Sequence, residues 1–173
     1  MHDHNGPITP SCFSQFYPVQ FEVDGLVFQT AEHAMMAAKA QFFGDDQSLQ
    51  SILAASTPGQ AKMLGRRVQR FEEKELDAVR YDIVVKNNMS KFSQNDEIAE
   101  FLLDTGDAIL VEASPSDHQW GVGLGLKNPS VHVPSEWKGK NLLGFALMVV
   151  RERLYHQKVK TLPNTIFFYQ RHL

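Results

Sequence analysis

Apolar and polar positions alternate over residues 13–29, and the alternation pivots on Asp24-Gly25, between VQFEV and LVFQ. An Asp-Gly pair between two such runs is the signature of a two-residue β-hairpin turn. From Thr30 the pattern becomes helical, and a helix is predicted from a Thr30 cap to about Phe43, with Gly44 as the stop. Residues 45–56 read as a short helix. Thr57-Pro58 opens another, with proline at the first helical position and Gln60 placed for a capping box. The longest helical pattern covers residues 74–93, where Leu76, Val79, Ile83, Val84 and Phe92 supply much of an apolar stripe. Asn95 is placed to cap a helix through Leu103, which Thr105-Gly106 ends. Residues 108–113 read as an apolar strand, 129–139 as loop and 141–155 as a final amphipathic helix. The fold class is therefore α+β, a single compact helix-rich domain with a small β-sheet. The domain spans residues 13–155, between a flexible leader (1–12) and an extension (156–173) of unassigned role. That extension holds Ile166, Phe167, Phe168 and Tyr169 without a helical period; packing on the domain and contact with a partner both remain open for it.

At 173 residues and 43% hydrophobic, the chain suits one domain with a substantial core. A formal charge of -3 argues against a surface that coats nucleic acid, while leaving room for a local basic pocket. The single cysteine, Cys12, forms no internal disulfide, which favours a reducing compartment. It also excludes a cysteine-rich zinc site. The seven histidines show no HExxH or similar spacing, so neither a metal nor a cofactor is expected. No run approaches roughly 18 apolar residues, and the polar start MHDHNGPITPS has no signal-peptide core. A soluble, cytoplasmic protein without membrane contact is expected. The pattern carries no signal of oligomeric state.

Two segments carry candidate chemistry. Residues 107–125, DAILVEASPSDHQWGVGLG, take an apolar strand into a loop with Glu112, Asp117, His118 and Trp120 beside three glycines. Carboxylates, an indole and bare backbone together suit an aromatic, phosphorylated or glycosylated ligand. Opposite it the best candidate is TAEHAMMAAKAQFF, residues 30–43, where Glu32 and Lys39 stand seven residues apart and so nearly on one helical face.

The pieces FSQFYPVQFEVDGLVFQTAEHAMMAAKA, GRRV, NNMSKFSQN, LLDTGDAILVEASPSDHQWGVGLG and NLLGFALMVVRERL, in this order, resemble the YbiA-like, or NADAR, family of N-glycosidases. The matching pieces span about residues 13–154, and it is their combination that is specific. The resemblance implies a compact α+β hydrolase that breaks a bond between a ribose carbon and a nitrogen. It implies one of two substrates: a small phosphorylated ribosylamino-pyrimidine of riboflavin biosynthesis, or ADP-ribose attached to guanine, including ADP-ribosylated nucleic acid. A non-catalytic module binding ADP-ribose is the reading from a different class.

Breaking an N-glycoside puts positive charge on the anomeric carbon and negative charge on the departing nitrogen, so a carboxylate and a proton donor are needed. Glu32, in the opening turn of its helix, is the first choice for the carboxylate, either activating water or stabilising an oxocarbenium-like state. Its alternative is a solvent-facing helix-start residue. Lys39 would lie roughly 10 Å further along the axis, suited to a phosphate or to Schiff-base attack on an opened ribose; a surface lysine is its plain reading. Asp117 could bind ribose hydroxyls, orient water or protonate the base. Trp120 could stack on the base or simply anchor the core. Gly121 and Gly123 would let backbone amides approach the ligand. Glu112 reads as a buried orienting partner, and His33 equally as a buried positioning residue or a proton-transfer group. Arg66 and Lys91 are candidates for a phosphate clamp, against the alternative of a solvated helical face. Asn141 reads as a helix cap that could also reach the ligand.

Overall fold

The computed structural model describes residues 7–161. The expected hairpin forms from β1 (Phe21–Val23) and β2 (Leu26–Phe28), antiparallel, with Phe21 opposite Phe28. Asp24 and Gly25 both take positive φ, 52° and 80°, as a two-residue hairpin turn with matching twist requires. Phe21, Val23 and Phe28 turn inward while Glu22 and Val27 face out, so the alternation read from the sequence is the burial pattern. The paired strands are three residues each, shorter than the alternating run.

Six helices follow among the described residues: α1 (Ala31–Phe42), α2 (Asp46–Leu53), α3 (Pro58–Gly65), α4 (Glu73–Ser93), α5 (Asp96–Leu103) and α6 (Leu142–Thr161). Thr30 caps α1 by accepting from the His33 N–H at 3.3 Å, and Thr57 caps α3 by accepting from the Gln60 N–H at 3.2 Å. Asn95 precedes α5 but makes no side-chain cap; its amide donates to the carbonyls of Gln20 and Lys91. α6 continues six residues past its expected end at Tyr155, and the rest of the expected extension lies outside the described residues. At the other end, Pro10–Phe13 forms a 3-10 turn with Cys12 fully buried, so packed structure begins inside the segment expected as leader.

α1 is the pivot. It packs on α2, α3 and α4, and α4 packs in turn on α5 and α6. One core cluster joins α1 to the hairpin, α2 and α3 through Phe21, Phe28, Ala37, Ala40 and Ile52; a second joins α4, α5 and α6 through Val84, Phe92, Leu102 and Val150. The alanine-rich face of α1 lets its neighbours approach closely, which is why so short a helix can serve both sides. Asp45 ties α2 to the segment after α3: its carboxylate accepts from the Ser48 and Gln69 N–H groups, and these bonds pull its pKa down to about 2.

The segment between α5 and α6 corrects one expectation. Residues 108–113 form no strand, and residues 129–139 contain two 3-10 turns, Pro129–His132 and Pro134–Glu136. A strand needs a neighbouring backbone. Here the partner is a side chain: Asn141 donates to the Leu110 carbonyl at 2.9 Å and accepts from the Glu112 N–H at 3.0 Å. The Glu112 carbonyl then accepts from Val122 N–H at 3.0 Å. This satisfies the extended segment without a ladder and leaves Ile109 exposed. Among the described residues no helix is long and apolar enough to cross a membrane.

Candidate active site

A cavity of about 410 Å³ opens where α1, α3, α4 and the 112–120 loop meet. α1 contributes Glu32, Met35, Met36 and Lys39, positions three and four apart that a helix brings to one face. α3 adds Lys62 and its C-cap adds Arg66, and the first half of α4 adds Glu73, Leu76 and Arg80. The loop supplies Glu112, Ser114, Asp117 and Trp120; the chain before β1 closes one side with Gln15 and Phe16.

Glu32 is 6% exposed. Burial pushes its carboxyl above the ordinary range, opposed by Lys62 and Arg66 and reinforced by Asp117. Lys62 Nζ stands 3.9 Å from Glu32 Oε1. Glu112 is also pushed up, by desolvation and then by Asp117. No cation counteracts that shift, which separates Glu112 from Glu32. Asp117 is pinned through Oδ1, which accepts from the Gln119 and Trp120 N–H groups at 3.0 and 2.7 Å. The three carboxylates therefore form one electrostatic group in which Asp117 acts on both glutamates. Lys39 is buried, and its Nζ lies 3.7 Å from the centre of the Phe71 ring. Desolvation lowers its pKa, Glu73 raises it and Arg80 lowers it again.

Glu32, Lys39, Arg66, Glu112, Asp117 and Trp120 are thus brought together, although Glu32 and Asp117 are far apart in sequence. Trp120 meets both of its readings, lining the cavity while packing on the larger core. The other candidates stand elsewhere. His33, on α1, is buried outside the cavity lining, bonded through Nδ1 to the Thr30 hydroxyl at 2.8 Å and through Nε2 to the Ala55 carbonyl at 3.1 Å. Burial lowers its pKa, and its two bonds tie the start of α1 to the backbone just after α2. Lys91 is fully buried and donates to the carbonyls of Cys12 and Ser14 at 2.7 and 2.9 Å. Burial takes its pKa down to about 7. It anchors the chain that carries Gln15 and Phe16 and is not among the residues lining the cavity. Asn141, fully buried, stitches the 110–112 backbone.

Gly121 and Gly123 also lie off the cavity wall. A Cβ at Gly121 would come within 2.8 Å of the Glu112 carbonyl oxygen and 2.9 Å of that of Asp117. Its missing side chain lets the two carboxylate-bearing strands of the loop close on each other. Gly123 takes φ 67° against the His118 ring.

Sequence reasoning passed over Lys62, Phe71, Glu73 and Arg80. For Arg80 a signal was present: it stands between Leu76 and Val84 at four-residue steps, a charge inside an apolar stripe. Lys62 and Phe71 have no comparable local signature. Among the described residues no three His, Cys, Asp or Glu side chains are grouped to hold a metal ion.

Comparison with known proteins agrees with this architecture. The model of the NADAR domain matches residues 3–155. The chain is 44% identical over 146 residues to an N-glycosidase of Acanthamoeba polyphaga mimivirus, covering 81% of this chain and 85% of that protein. It is 36% identical to an N-glycosidase of Nostoc punctiforme, covering 83% and 85%. The N-glycosidase YbiA of Escherichia coli is 34% identical over 84% of this chain and 82% of its own length. The NMR structure of E. coli YbiA superposes with a TM-score of 0.73 at 32% identity, over 88% of this chain and 83% of that one. With its family model matched over almost the whole described chain, this protein belongs to the NADAR domain family.

Proposed function

We propose that the cavity hydrolyses the ribose–nitrogen bond of phosphorylated ribosylamino-pyrimidine intermediates of riboflavin biosynthesis, releasing ribose 5-phosphate and the free base. The N-glycosidase chemistry is supported by the relatives of that name. The observation that carries the mechanism is the grouping of Glu32, Glu112 and Asp117 beside Trp120 in one cavity. Glu32, with Lys62 and Arg66 favouring its charge, is the anion at the anomeric carbon and takes a proton from the attacking water. Glu112, raised by desolvation and by Asp117 with no such cation to oppose the shift, is the general acid of this reading and gives its proton to the departing nitrogen as the C–N bond breaks. Water oxygen ends on the anomeric carbon. Asp117, rigidly held, orients the water or the ribose hydroxyls, and the base stacks on Trp120.

The test is product release from two substrates in parallel: the ribosylamino-pyrimidine phosphate and an oligonucleotide carrying ADP-ribosyl-guanine. Ribose 5-phosphate from the first supports the proposal. ADP-ribose from the second alone moves the activity to nucleic-acid substrates, and binding without cleavage leaves a ligand-binding module.

A pH profile checks the division of roles. With Glu32 ionised and Glu112 protonated in the active form, kcat/KM should be bell-shaped. Because desolvation raises both glutamates, both limbs should lie above the ordinary carboxylate range. Glu112→Gln should remove the alkaline limb along with most of the rate. An alkaline limb that survives this change would assign the acid to another group.

A further inference from the structure

Charges in the cavity fall into two groups. Glu32, Glu112 and Asp117 interact with one another and with Lys62 and Arg66, whereas Lys39 responds to Glu73 and Arg80. The second group lies two helical turns along α1 from Glu32, roughly 10 Å by helix geometry. It contains the one oddly satisfied cation of the site. Arg80 Nη2 donates to Glu73 and is ion-paired with Asp77, while Arg80 Nε is buried with no acceptor among the described residues. In a guanidinium the Nε–H and the Nη2 group share one edge, the edge on which two oxygens of a carboxylate or phosphate can be held side by side. Arg80 therefore presents a two-donor edge of which one donor is taken and the other left empty.

The two carboxylates on Nη2 are not equivalent. Asp77 is one turn before Arg80 on α4, three residues away, and holds the guanidinium in place. Glu73 is seven residues away at the helix start, lines the cavity, and has a side chain 63% exposed. Water can receive the Glu73 carboxylate, and a surface ion pair of this kind is weak. A ligand that reaches both Nε and Nη2 is favoured over one that reaches Nη2 alone. Lys39, desolvated against Phe71, adds positive charge from the facing helix.

We propose that Arg80 is the phosphate-recognition residue of the cavity, and that Glu73 occupies its place in the free protein until a substrate phosphomonoester displaces it. Two phosphate oxygens accept from Nε–H and Nη2–H while Asp77 keeps the guanidinium fixed. The ribose then extends along α1 towards Glu32, placing the anomeric carbon at the acidic group. This rests on reading the cavity as the site of a phosphorylated riboside. It adds the residue that selects for the phosphate, together with an internal carboxylate that competes with it.

The competition has a sign that a structural ion pair would not show. Ribose 5-phosphate binding to the intact protein, measured by calorimetry, should strengthen about 2- to 5-fold in Glu73→Gln. It should weaken about 10- to 100-fold in Arg80→Met. Arg80→Lys, which keeps charge but lacks the edge, should also weaken it. Glu73 is exposed, so its variant keeps the proposal testable if Arg80→Met fails to fold. In turnover, Arg80→Met should reduce the preference for phosphorylated over dephosphorylated substrate chiefly through KM. Equal ribose 5-phosphate affinity in wild type, Glu73→Gln and Arg80→Lys, or no binding to wild type, overturns the assignment. Arg80-dependent binding without cleavage of the ribosylamino-pyrimidine sustains the phosphate site and sinks the substrate reading instead.

Discussion

Glu32→Gln should lower kcat by on the order of 10³-fold and leave the fold intact. An amide of the same shape neither accepts the water proton nor offers negative charge to an oxocarbenium-like carbon. The stability side of the prediction follows from burial. Glu32 is held above the ordinary carboxylate range, so the folded chain retains its proton more tightly than the unfolded chain does. Its contribution is then most favourable below the unfolded carboxylate pKa and is lost as pH rises through the folded value. At neutral pH the ionised side chain costs stability, and its ion pair with the half-exposed Lys62 returns little. Glu32→Gln should consequently raise Tm at pH 7, with the gain shrinking towards pH 4. Turnover within a few-fold of wild type would remove Glu32 from the chemistry. A lowered Tm at pH 7 would show that its charge is better compensated than its burial suggests.

Asn141→Ala should destabilise the protein by about 3–5 kcal/mol. The side chain is fully buried and makes two bonds to one stretch of backbone, at 2.9 Å to the Leu110 carbonyl and 3.0 Å from the Glu112 N–H. Truncation leaves both backbone groups without partners, at about 1–3 kcal/mol each. Position 141 also takes φ 53°, where asparagine is tolerated and alanine is strained. Asn141→Gly removes the bonds but not the backbone freedom, so it should fall between wild type and Asn141→Ala. Urea unfolding of the three proteins separates the terms. A loss below about 1 kcal/mol for Asn141→Ala would mean that the 110–112 segment finds other partners. Activity should fall as well, because Glu112 is the residue whose N–H is held.

The 109–111 segment is held by contacts that no local pattern encodes. The run Ile109, Leu110, Val111 has the composition of a strand, but composition does not supply a neighbouring chain. Among the described residues the hairpin is the whole sheet, so the segment is held by Asn141 and by the Val122 N–H. Asn141, in turn, reads locally as a helix cap because its bonding partners are some thirty residues earlier. Lys91, too, is placed by distant partners. A lysine near a helix end suits a phosphate clamp, and only packing reveals that it donates to the carbonyls of Cys12 and Ser14. Arg80 was legible in principle as a charge within an apolar stripe, yet its empty donor depends on Glu73 and Asp77 reaching only one nitrogen.

What the sequence determined by itself was local: the hairpin turn at Asp24-Gly25, the caps at Thr30 and Thr57, the helices on either side of them, and Glu32 and Lys39 on one face of α1. These rest on backbone geometry and short-range periodicity, which neighbouring residues specify. Tertiary structure alone decided which of the candidate groups meet. It brought Glu32, Glu112 and Asp117 together, and took Lys91, His33 and Asn141 into the framework. Desolvation and charge depend on whatever packs around a side chain, and most of those neighbours are distant in sequence.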